Sequence, residues 1–309
     1  MRGIISEIHA LAIVERGATL GKGSKVWAYS HVLEGAVIGD NCNIANSVFI
    51  ANDVRIGDRV MVKSGVQLCD GVRLDDDVFV GANATFTDDD WSRSKFYPRK
   101  SPETYILIGA SIGANSTIVS GITVGSGAMV RAGAVVTADV PPKAIVVGNP
   151  AMIVGYMDTD EKQTNVVGKV GELERSQVKG VKLHQIQNVK DLRGDLAALE
   201  WRKELPFNPK RIFFVYNVPN SSVRGEHAHK RCHQFLLCVR GSIAIVVDDG
   251  NSREEFLLCE PHIGIHIPPK VWGIQYKYSS DAVLVVLASH EYDADDYIRN
   301  YDDYLVYIK

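Results

Sequence analysis

The first half of the sequence repeats an apolar residue at every sixth position. Two uninterrupted series carry this repeat: Val14, Leu20, Val26, Val32, Ile38, Ile44, Ile50, Ile56, Val62, Leu68, Leu74, Val80 and Phe86, followed by Ile106, Ile112, Ile118, Val124, Val130 and Val136. Glycine often follows the apolar residue, where it suits a tight corner beside an inward-facing side chain. A period of six fits neither an amphipathic helix nor a flat strand. It is typical of a solenoid whose short strands each add one apolar residue to a central stack, so it predicts a parallel β-helix.

The repeat is interrupted between Phe86 and Ile106. The interrupting segment, TDDDWSRSKFYPRKSPETY, contains acidic, basic and aromatic residues and two prolines. A long irregular segment within a regular scaffold is usually functional or disordered. We expect its aromatic side chains to dock against a neighbouring subunit or a ligand; they are Trp91, Phe96 and Tyr97.

The residues that follow the repeat have a different organisation. Residues 158–177 are polar and show no regular pattern, which predicts a linker between a domain at 1–157 and a second domain at 178–309. In the second domain, short β-branched and aromatic runs alternate with turn signals. This spacing predicts an all-β sandwich or barrel, with a hairpin turn at DDGN (residues 248–251) and a short helix at the C-terminus.

Composition argues against several classes of protein. The chain of 309 residues has 34 basic and 37 acidic residues, a net charge of -3, so it offers no broad basic surface for nucleic acid or anionic membrane. The N-terminus lacks a cleavage-type signal, and no run of about 18 apolar residues occurs, so we expect a cytoplasmic protein. The five cysteines show no CxxC spacing, which predicts free thiols rather than disulfides or a zinc knuckle.

His227 and His229 are separated by one residue in RGEHAHKRCH. Residues two apart in a strand point to the same face, so two inward-facing imidazoles would line the cavity of a barrel together. From the residues alone, the pair can bind a metal, transfer protons or fill space. A metal needs further ligands. Gln234 and His233 stand where a cupin metal motif has Glu, and His262 and His266 are possible distant ligands.

Segments across residues 8–155 resemble the hexapeptide-repeat nucleotide-sugar 3-N-acetyltransferases. These segments are VWAYSHV (26–32), VKSGVQLCDGV (62–72), GANATFTDDDWSRSKFYPR (81–99) and PPKAIVVGNPAMIVG (141–155). The resemblance implies a left-handed β-helix, usually assembled as a trimer, with acetyl-CoA bound along the groove between subunits. It also implies that the amine of a nucleotide-linked amino sugar attacks the acetyl carbonyl.

The same resemblance implies roles for individual residues. His31, Asn83 and Asp88 would lie near the acetyl and amine groups, Lys63, Gln67 and Arg93 near the sugar nucleotide, and Lys143, Ala114 and Ala132 near the coenzyme. An imidazole such as that of His31 is a suitable proton acceptor near neutral pH. Simpler roles stay open, because His31 can be a surface residue, Asn83 a turn residue and Asp88 part of a solvated acidic turn. The family often has Asn where Asp88 stands.

Segments across residues 180–309 resemble the cupin-fold nucleotide-sugar 3,4-ketoisomerases. These segments are DLRGDLAALE (191–200), KRIFFVYNV (210–218), RGEHAHK (224–230), VRGSIAIVVDDGN (239–251), PPKVWG (268–273) and VLASHEYDADDYIRNYDDY (286–304). The resemblance implies a metal-free isomerase that moves the carbonyl of dTDP-4-keto-6-deoxyglucose from C4 to C3. It implies acid/base roles for His227 and His229, a substrate contact for Arg224, and hydrogen-bond donation to the enediolate by Tyr216. Trp272 is a candidate for stacking on the sugar or base, although a barrel aromatic is more often a core residue.

Together, the two resemblances predict an all-β bifunctional enzyme that makes a dTDP-3-acetamido-3,6-dideoxyhexose, a type of sugar used in lipopolysaccharide O-antigen. A separate pyridoxal-phosphate aminotransferase must act between the two reactions and is an implied pathway partner. We expect a homo-oligomer, either a trimer or a hexamer. The alternatives are a sugar-nucleotide binding protein with a decayed active site and a metal-dependent cupin enzyme.

Overall fold

A computed structural model describes residues 6–88, 102–159, 165–167, 176–192, 194–201, 205–220 and 222–309. The chain divides into two compact units, Met1–Met157 and Asp158–Lys309. Within the described ranges, no helix has the length and apolar character needed to cross a bilayer. Most of the interrupting segment, including Trp91, Arg93, Phe96 and Tyr97, lies outside the described residues.

The first unit consists of very short strands. In chain order they are β1 (Glu7–Ile8), β2 (Ile13–Val14), β3 (Thr19–Leu20), β4 (Lys25–Val26), β5 (His31–Val32), β6 (Val37–Ile38), β7 (Asn43–Ile44), β8 (Phe49–Ile50), β9 (Arg55–Ile56), β10 (Met61–Val62), β11 (Gln67–Leu68), β12 (Val72–Leu74), β13 (Phe79–Val80), β14 (Thr85–Phe86), β15 (Thr104–Ile106), β16 (Ser111–Ile112), β17 (Thr117–Ile118), β18 (Thr123–Val124), β19 (Met129–Val130), β20 (Val135–Val136), β21 (Ala144–Val147) and β22 (Met152–Tyr156).

These strands form three parallel faces. Face 1 runs from β1 through every third strand to β19 and continues into β21 and β22, face 2 runs from β2 to β20, and face 3 runs from β3 to β18. Each strand pairs in parallel with the equivalent strand of the next coil, so Lys25 pairs with Asn43, 18 residues later. Only β21 and β22 pair antiparallel within this unit as described. The predicted parallel β-helix is confirmed.

The sixfold residues form the core of this unit. Ile44, Ile50 and Val62 have no exposed surface, because each strand directs one side chain inward and one outward. The chain turns sharply between faces, and the corners require left-handed backbone conformations. At the corner between faces 1 and 2, φ is +75° at Gly65 and +58° at Asn83. Glycine and asparagine adopt this region at little cost, so the corner residues and the inward residues together explain the repeat.

The second unit has longer strands. They are β23 (Asn165–Val167), β24 (Lys182–Gln185), β25 (Gln187–Asp191), β26 (Gly194–Ala198), β27 (Arg211–Tyr216), β28 (Arg224–His229), β29 (Gln234–Arg240), β30 (Ile243–Asp248), β31 (Arg253–Leu258), β32 (Ile263–Ile267), β33 (Trp272–Tyr276), β34 (Val283–Ala288) and β35 (Tyr297–Ile298).

Two sheets enclose the core of the second unit. The six-stranded sheet has the order β23-β31-β30-β33-β28-β35, and the five-stranded sheet has the order β24-β32-β29-β34-β27. Strands β25 and β26 form a separate hairpin. The buried core between the sheets includes Leu236, Ile245, Phe256 and Ile265. Strands β30 and β31 pair from Ile243 to Leu258 around the predicted DDGN turn, so the predicted all-β barrel and its hairpin are confirmed.

A short strand lies within the predicted linker. Residues Asn165–Val167, within the range 158–177, form β23, which pairs in parallel with Phe256–Leu258 of β31. Two consecutive valines suit an edge strand, and the edge of the six-stranded sheet supplies hydrogen-bonding partners for their backbone. Because the surrounding residues are polar, the sequence shows no strand pattern at this position.

The predicted C-terminal helix is confirmed. Helix α1 spans Tyr301–Ile308, and the side chain of Asn300 caps it by accepting a hydrogen bond from the Asp303 backbone N–H at 2.9 Å. A single 3₁₀ turn, Ala294–Asp296, precedes β35. Tyr304 is fully buried and anchors the helix, because its hydroxyl donates to the backbone carbonyl of Asp248 at 2.7 Å.

Candidate active sites

A β-bulge in β28 sets the direction of the histidine pair. Arg224 pairs with Gln275 on β33, but His227 pairs with Gly273, so one extra residue lies between them. Without the bulge, Arg224 and His227 would point to opposite faces, since they are three residues apart. The extra residue places both on the face that carries Gln275. Left-handed φ values of +83° at Gly225 and +49° at Glu226 form the bulge.

His227 and His229 share one face, as predicted from their spacing. Their ring centroids lie 4.9 Å apart, and both side chains line a small cavity inside the barrel together with Cys232, Gln234 and Gln275. Nδ1 of His227 lies 2.7 Å from the backbone carbonyl of Gly225. Because a carbonyl only accepts, Nδ1 carries the proton and Nε2 keeps its lone pair. No partner contacts that Nε2 among the described residues.

The surroundings hold His227 in the neutral form. Burial lowers its pKa to about 4, although the carbonyl of Gly225 acts in the opposite direction. The nearby charges of Arg299 and Arg211 lower the pKa further. A neutral imidazole with an available Nε2 has the properties of a general base.

His229 is held at both ring nitrogens. Its Nδ1 lies 2.8 Å from Oδ2 of Asp296, and its Nε2 lies 3.1 Å from the side-chain amide nitrogen of Gln234. Burial lowers the pKa of His229, and the hydrogen bond that His229 donates to Asp296 opposes this effect. Asp296 is itself fixed by the backbone N–H groups of Arg231 and Cys232 at 2.8 and 3.2 Å. The Asp296 carboxylate therefore sets the orientation of His229.

Tyr297 completes the group, although sequence reasoning missed it. Strand β35 pairs with β28 so that Tyr297 stands opposite His229, and the two ring centroids lie 4.3 Å apart. The ring of Tyr297 is also 4.9 Å from that of His227. Its hydroxyl accepts from Arg211 at 3.4 Å, and the Arg299 guanidinium lies 4.3 Å from its ring centroid. The sequence signal for this pair is its spacing: Tyr297 and Arg299 are two residues apart in YIR, as residues on one face of a strand are.

Arg211 carries an unsatisfied buried donor. Its Nε–H is buried without a hydrogen-bond partner among the described residues. A buried cationic donor of this kind is costly unless an anion or polar ligand satisfies it. Arg211, which also donates to Tyr297, therefore marks where a negatively charged group can bind beside the histidines.

Two predicted contacts of this site are placed elsewhere. Tyr216 is 59% exposed, and its side chain points away from the core, because inward and outward residues alternate along β27 and Arg211 takes the inward phase. Trp272 is 4% exposed and packs against Tyr301 and Tyr304 at 5.2 and 5.4 Å, so it is a core residue that supports helix α1. Trp272 pairs with Ala228, which lies on the opposite face of β28 from His227.

The distant candidate metal ligands do not meet the histidine pair. His233 and His266 contact each other, with Nδ1 and Nε2 at 3.0 Å, and both pack against Phe207. Ile265 and Ile267 occupy the core face of β32, so His266 lies on the outer face of the five-stranded sheet. His262 lies 3.8 Å from Glu260. Of the four candidates, only Gln234 faces the cavity.

In the first unit, several predicted residues lie along the edge between faces 1 and 2. Backbone hydrogen bonds join successive coils along this edge. The Asn83 N–H donates to the carbonyl of Ser64 at 3.0 Å, and the Gly133 N–H donates to the carbonyl of Ala114 at 2.8 Å. Lys63 and Ala132 are adjacent to these stacked residues in the chain. Lys63, Ala114 and Ala132, three of the predicted sugar-nucleotide and coenzyme contacts, therefore follow one edge of the β-helix.

Gly65 is the centre of a local cluster on this edge. A Cβ atom on Gly65 would lie 2.2 Å from Oδ1 of Asn83, so the carboxamide of Asn83 rests directly on the glycine backbone. The side-chain amide of Gln67 donates to the carbonyls of Gly65 and Val66 at 3.4 and 3.3 Å. Asn83 is thus a corner residue whose side chain is also held in place, next to Gln67 and Lys63.

His31 lies on the same side of the β-helix but at a different level. Its Nε2 lies 2.8 Å from Oε1 of Glu15, and the other Glu15 oxygen accepts the backbone N–H of Glu34 at 3.1 Å. The register from His31 through Phe49 and Gln67 to Thr85 spans three strand spacings, roughly 14 Å at about 4.8 Å each. Within one chain, His31 and Asn83 are too far apart to contact the same acetyl group.

The remaining predicted contacts occupy other edges. Asp88 lies near Cys69, at the far side of face 2, where burial and then the Asp88 charge raise the pKa of Cys69 to about 11. Lys143 lies at the corner between faces 3 and 1, where its backbone N–H donates to Ser126 at 2.9 Å. The single chain therefore does not bring Asp88 or Lys143 to the Asn83 edge.

Comparison with known proteins assigns both units. A family model described as FdtA, "WxcM-like, C-terminal", matches residues 179–309. The TDP-4-oxo-6-deoxy-alpha-D-glucose-3,4-oxoisomerase of Aneurinibacillus thermoaerophilus is 41% identical over 127 residues, which cover 41% of this chain and 91% of that protein. The chain belongs to the WxcM-like family. A 3,4-ketoisomerase from Helicobacter canadensis of known structure is 39% identical, covering 42% of this chain and 97% of that one, with a TM-score of 0.41.

The first unit is the hexapeptide-repeat domain of this WxcM-like protein. Models described as "Bacterial transferase hexapeptide (six repeats)" and "Hexapeptide repeat of succinyl-transferase" match residues 8–52 and 109–138. The dTDP-3-amino-3,6-dideoxy-alpha-D-galactopyranose 3-N-acetyltransferase of Aneurinibacillus thermoaerophilus is 51% identical over 150 residues, which cover 48% of this chain and 78% of that protein. The WxcM-like chain therefore joins relatives of an isomerase and of an acetyltransferase, as its sequence predicts.

Proposed function

We propose that the WxcM-like domain converts dTDP-4-keto-6-deoxyglucose to the 3-keto-6-deoxy sugar without a metal. The observation that carries this proposal is the state of His227, whose Nδ1 is engaged by Gly225 and whose side chain lines the cavity with Nε2 available. The relation to a TDP-sugar 3,4-oxoisomerase supplies the substrate class.

The reaction requires a proton to leave C3 and another to arrive at C4. The C4 ketone acidifies the C3 proton, and His227 Nε2 is the acceptor. The resulting enediolate has its charge on O4, and Tyr297 and Arg211 are placed to stabilise it by hydrogen bonding. Protonation at C4 and loss of the O3 proton then give the 3-ketone, so the reaction neither gains nor loses atoms.

His229 has a supporting place in this scheme. Because Asp296 and Gln234 bind its two nitrogens, it must release Gln234 before its Nε2 can reach a substrate. Once the substrate has displaced the amide, the Nε2 lone pair can accept the O3 proton, and the imidazolium that forms can deliver a proton to C4. Arg224, at the rim of the same face, is available for the phosphates or hydroxyls of the nucleotide sugar.

Nuclear magnetic resonance in deuterated buffer tests this proposal. Wild-type protein should form the 3-keto sugar with deuterium at C4, and the yield should survive treatment with a chelator. His227→Asn should abolish both the product and exchange at C3. Product formation by that variant at the wild-type rate would contradict the role of His227. Loss of activity on chelation would contradict the metal-free reaction.

We further propose that the hexapeptide domain transfers an acetyl group from acetyl-CoA to the 3-amine of a dTDP-3-amino-3,6-dideoxyhexose. The relation to a 3-N-acetyltransferase supports this substrate. The edge that holds Lys63, Asn83, Ala114 and Ala132 continues over several coils, which suits an extended coenzyme and a sugar nucleotide bound end to end.

Glu15 is the positioning residue that we assign to His31. The carboxylate engages Nε2, and Phe49 contacts the ring edge-on with centroids 6.1 Å apart, so two contacts hold the imidazole. Assembly of identical chains allows His31 of the partner subunit to face the Asn83 edge of another chain. A mixture of inactive His31→Ala and Asn83→Ala chains should then recover acetyl transfer, whereas a site within one chain would stay inactive in the mixture.

The two reactions are separated by one amination. The isomerase product is a ketone and the acetyl acceptor is an amine, so an aminotransferase must act between them. Incubation of the protein with the 4-keto sugar, a 3-keto-sugar aminotransferase, glutamate and acetyl-CoA should yield the acetamido sugar. Omission of the aminotransferase should stop the sequence at the 3-keto sugar.

A further inference from the structure

Three chemically different side chains converge behind the histidine pair. One ligand atom each from His229, Cys232 and Asp296 lie within 4.8 Å of one another. The three residues are 5%, 3% and 4% exposed. Imidazole, thiolate and carboxylate are the three protein ligand types of zinc, and thiolate in particular selects against magnesium and calcium.

The spacing of these atoms is close to that of a coordinated metal. Zinc bonds of about 2.0 Å to nitrogen or oxygen and about 2.3 Å to sulfur place tetrahedral ligand atoms roughly 3.3–3.6 Å apart. Nδ1 of His229 and Oδ2 of Asp296 are now 2.8 Å apart and share a hydrogen bond. A metal would replace the shared proton and separate these two atoms by about 0.5 Å, and the sulfur atom would approach them by at most about 1.5 Å.

A metal ion can reach this group through the substrate cavity. Cys232 and His229 both line the cavity that contains His227, whereas Asp296 lies behind them. This ligand set differs from that of a cupin metal centre, which uses both histidines of the pair and a carboxylate. Here His227 is engaged by Gly225, and Gln234 stands in place of the carboxylate.

We infer that His229, Cys232 and Asp296 form an inhibitory site for zinc or a similar thiophilic divalent cation. Binding displaces the Cys232 thiol proton and moves the imidazole proton of His229 from Nδ1 to Nε2, where the amide oxygen of Gln234 accepts it after rotation. The thiolate and the carboxylate balance the charge of the cation. His229 is then withdrawn from proton transfer, so the effect on isomerisation rests on the proposed function, whereas binding itself does not.

Binding is tested with cobalt(II) and zinc(II) added to the full chain. We expect one equivalent of cobalt to give thiolate-to-cobalt charge-transfer absorption, which zinc then removes. Zinc should also protect Cys232, identified by peptide mass spectrometry, from alkylation. Cys232→Ser should abolish the absorption and Asp296→Asn should weaken cobalt binding at least tenfold, while the matched thiol variant Cys259→Ser should bind as the wild type does.

Enzymatic activity separates the two levels of the proposal. Zinc should inhibit isomerisation by the wild type and spare acetyl transfer by the same chain, and Cys232→Ser should retain its own isomerase rate when zinc is added. Charge-transfer absorption that persists in Cys232→Ser would overturn the site. Cobalt binding at Cys232 without any isomerase activity in the metal-free wild type would leave the metal site standing and refute the isomerase function instead.

Discussion

His229 and Asp296 are separated by 67 residues in the chain, yet Nδ1 of one lies 2.8 Å from Oδ2 of the other in a buried setting. The carboxylate fixes one tautomer of the imidazole, with the proton on Nδ1 and the lone pair on Nε2. The pKa of Asp296 is lowered: burial raises it, but the hydrogen bonds from His229 and from two backbone N–H groups outweigh that effect. Asp296 therefore remains ionised at neutral pH.

Asp296→Asn should lower kcat for isomerisation by roughly 10²-fold, a loss typical of a misplaced acid/base group. The amide can present an N–H to His229 Nδ1 and so favour the wrong tautomer. The measurement is steady-state kinetics with the 4-keto sugar. Asp293→Asn is the control, because Asp293 pairs at 2.6 Å with exposed Arg231 and does not contact His229. Equal rates for the two variants would contradict the assigned role of Asp296.

Tyr297→Phe should lower kcat for isomerisation by about tenfold to a hundredfold with little change in KM. The substitution removes the hydroxyl that contacts Arg211 but keeps the ring that packs on His229 and Arg299. Exchange of the C3 proton with deuterated buffer should slow in parallel. Tyr216→Phe provides the comparison, and a larger effect there than at Tyr297 would restore the outward-facing tyrosine as the functional one.

Gly65→Ala should impair acetyl transfer and leave isomerisation unchanged. The added methyl group meets Oδ1 of Asn83 at 2.2 Å, so the carboxamide must leave its position. Gly109→Ala is a matched control, because Gly109 has a similar φ of +69° and no atom within 4 Å of the added Cβ. Each variant carries a similar backbone strain, of about 1 kcal/mol. Equal acetyl-transfer rates in the two variants would show that the position of Asn83 is unimportant.

Glu15→Gln should reduce kcat for acetyl transfer by about tenfold with KM unchanged, because the imidazole of His31 loses a charged partner that holds it. Glu15→Asp should restore part of the rate. Glu34→Gln removes a carboxylate from the same coil without removing a His31 contact and should behave as the wild type does. An increase in KM alone would indicate that Glu15 acts in substrate binding rather than in positioning His31.

The histidines on the outer face of the five-stranded sheet predict acid sensitivity. Burial lowers the pKa of His266 to about 4 and also lowers the pKa of His184, with the charges of His233 and Lys182 acting in the same direction. The unfolded chain binds protons near pH 6.5, so stability is full above that pH and falls as pH decreases towards 4. For His266 alone, the loss amounts to about 3 kcal/mol.

Thermal unfolding between pH 7.5 and 4.5 measures this effect. His266→Gln should reduce the dependence of Tm on pH without removing it, because the pKa of His227 is also lowered to about 4, whereas His262→Gln should keep the wild-type slope. Identical slopes in all three proteins would show that the outer histidines do not control acid stability.

The fold could be predicted from the sequence because its signals are local. In the first unit, the position of a residue within the six-residue repeat decides whether it is buried. The burial of Ile44 and Val62 could therefore be predicted without knowledge of distant residues. The C-terminal helix and the DDGN hairpin were equally local. Strand β23 could not be predicted, because its partner, β31, lies about 90 residues away in the chain. A segment of three residues forms a strand only through such pairing.

The candidate active site could be predicted only where its residues are neighbours in the chain. His227 and His229 share a face because of their spacing, but Tyr297 and Arg211 join them through pairing with β35 and through the opposed sheet. The bulge at Gly225 reverses the direction that simple alternation gives to Arg224. The resemblance implies a role for Tyr216, whereas the alternation along β27 directs Tyr216 outward and Arg211 inward.

The repeat of the first unit has two different periods, and the difference limits how this domain can change. Burial recurs every 6 residues, but a given edge recurs only every 18, as in the pairing of Lys25 with Asn43. Loss of six residues would preserve a perfect hydrophobic pattern and still rotate every later outward residue by one third of a turn. Loss of 18 would shorten the prism and keep its edges aligned. The core therefore tolerates insertions or deletions of six residues, one third of a coil. The binding edge stays aligned only when the change is a whole coil of 18 residues.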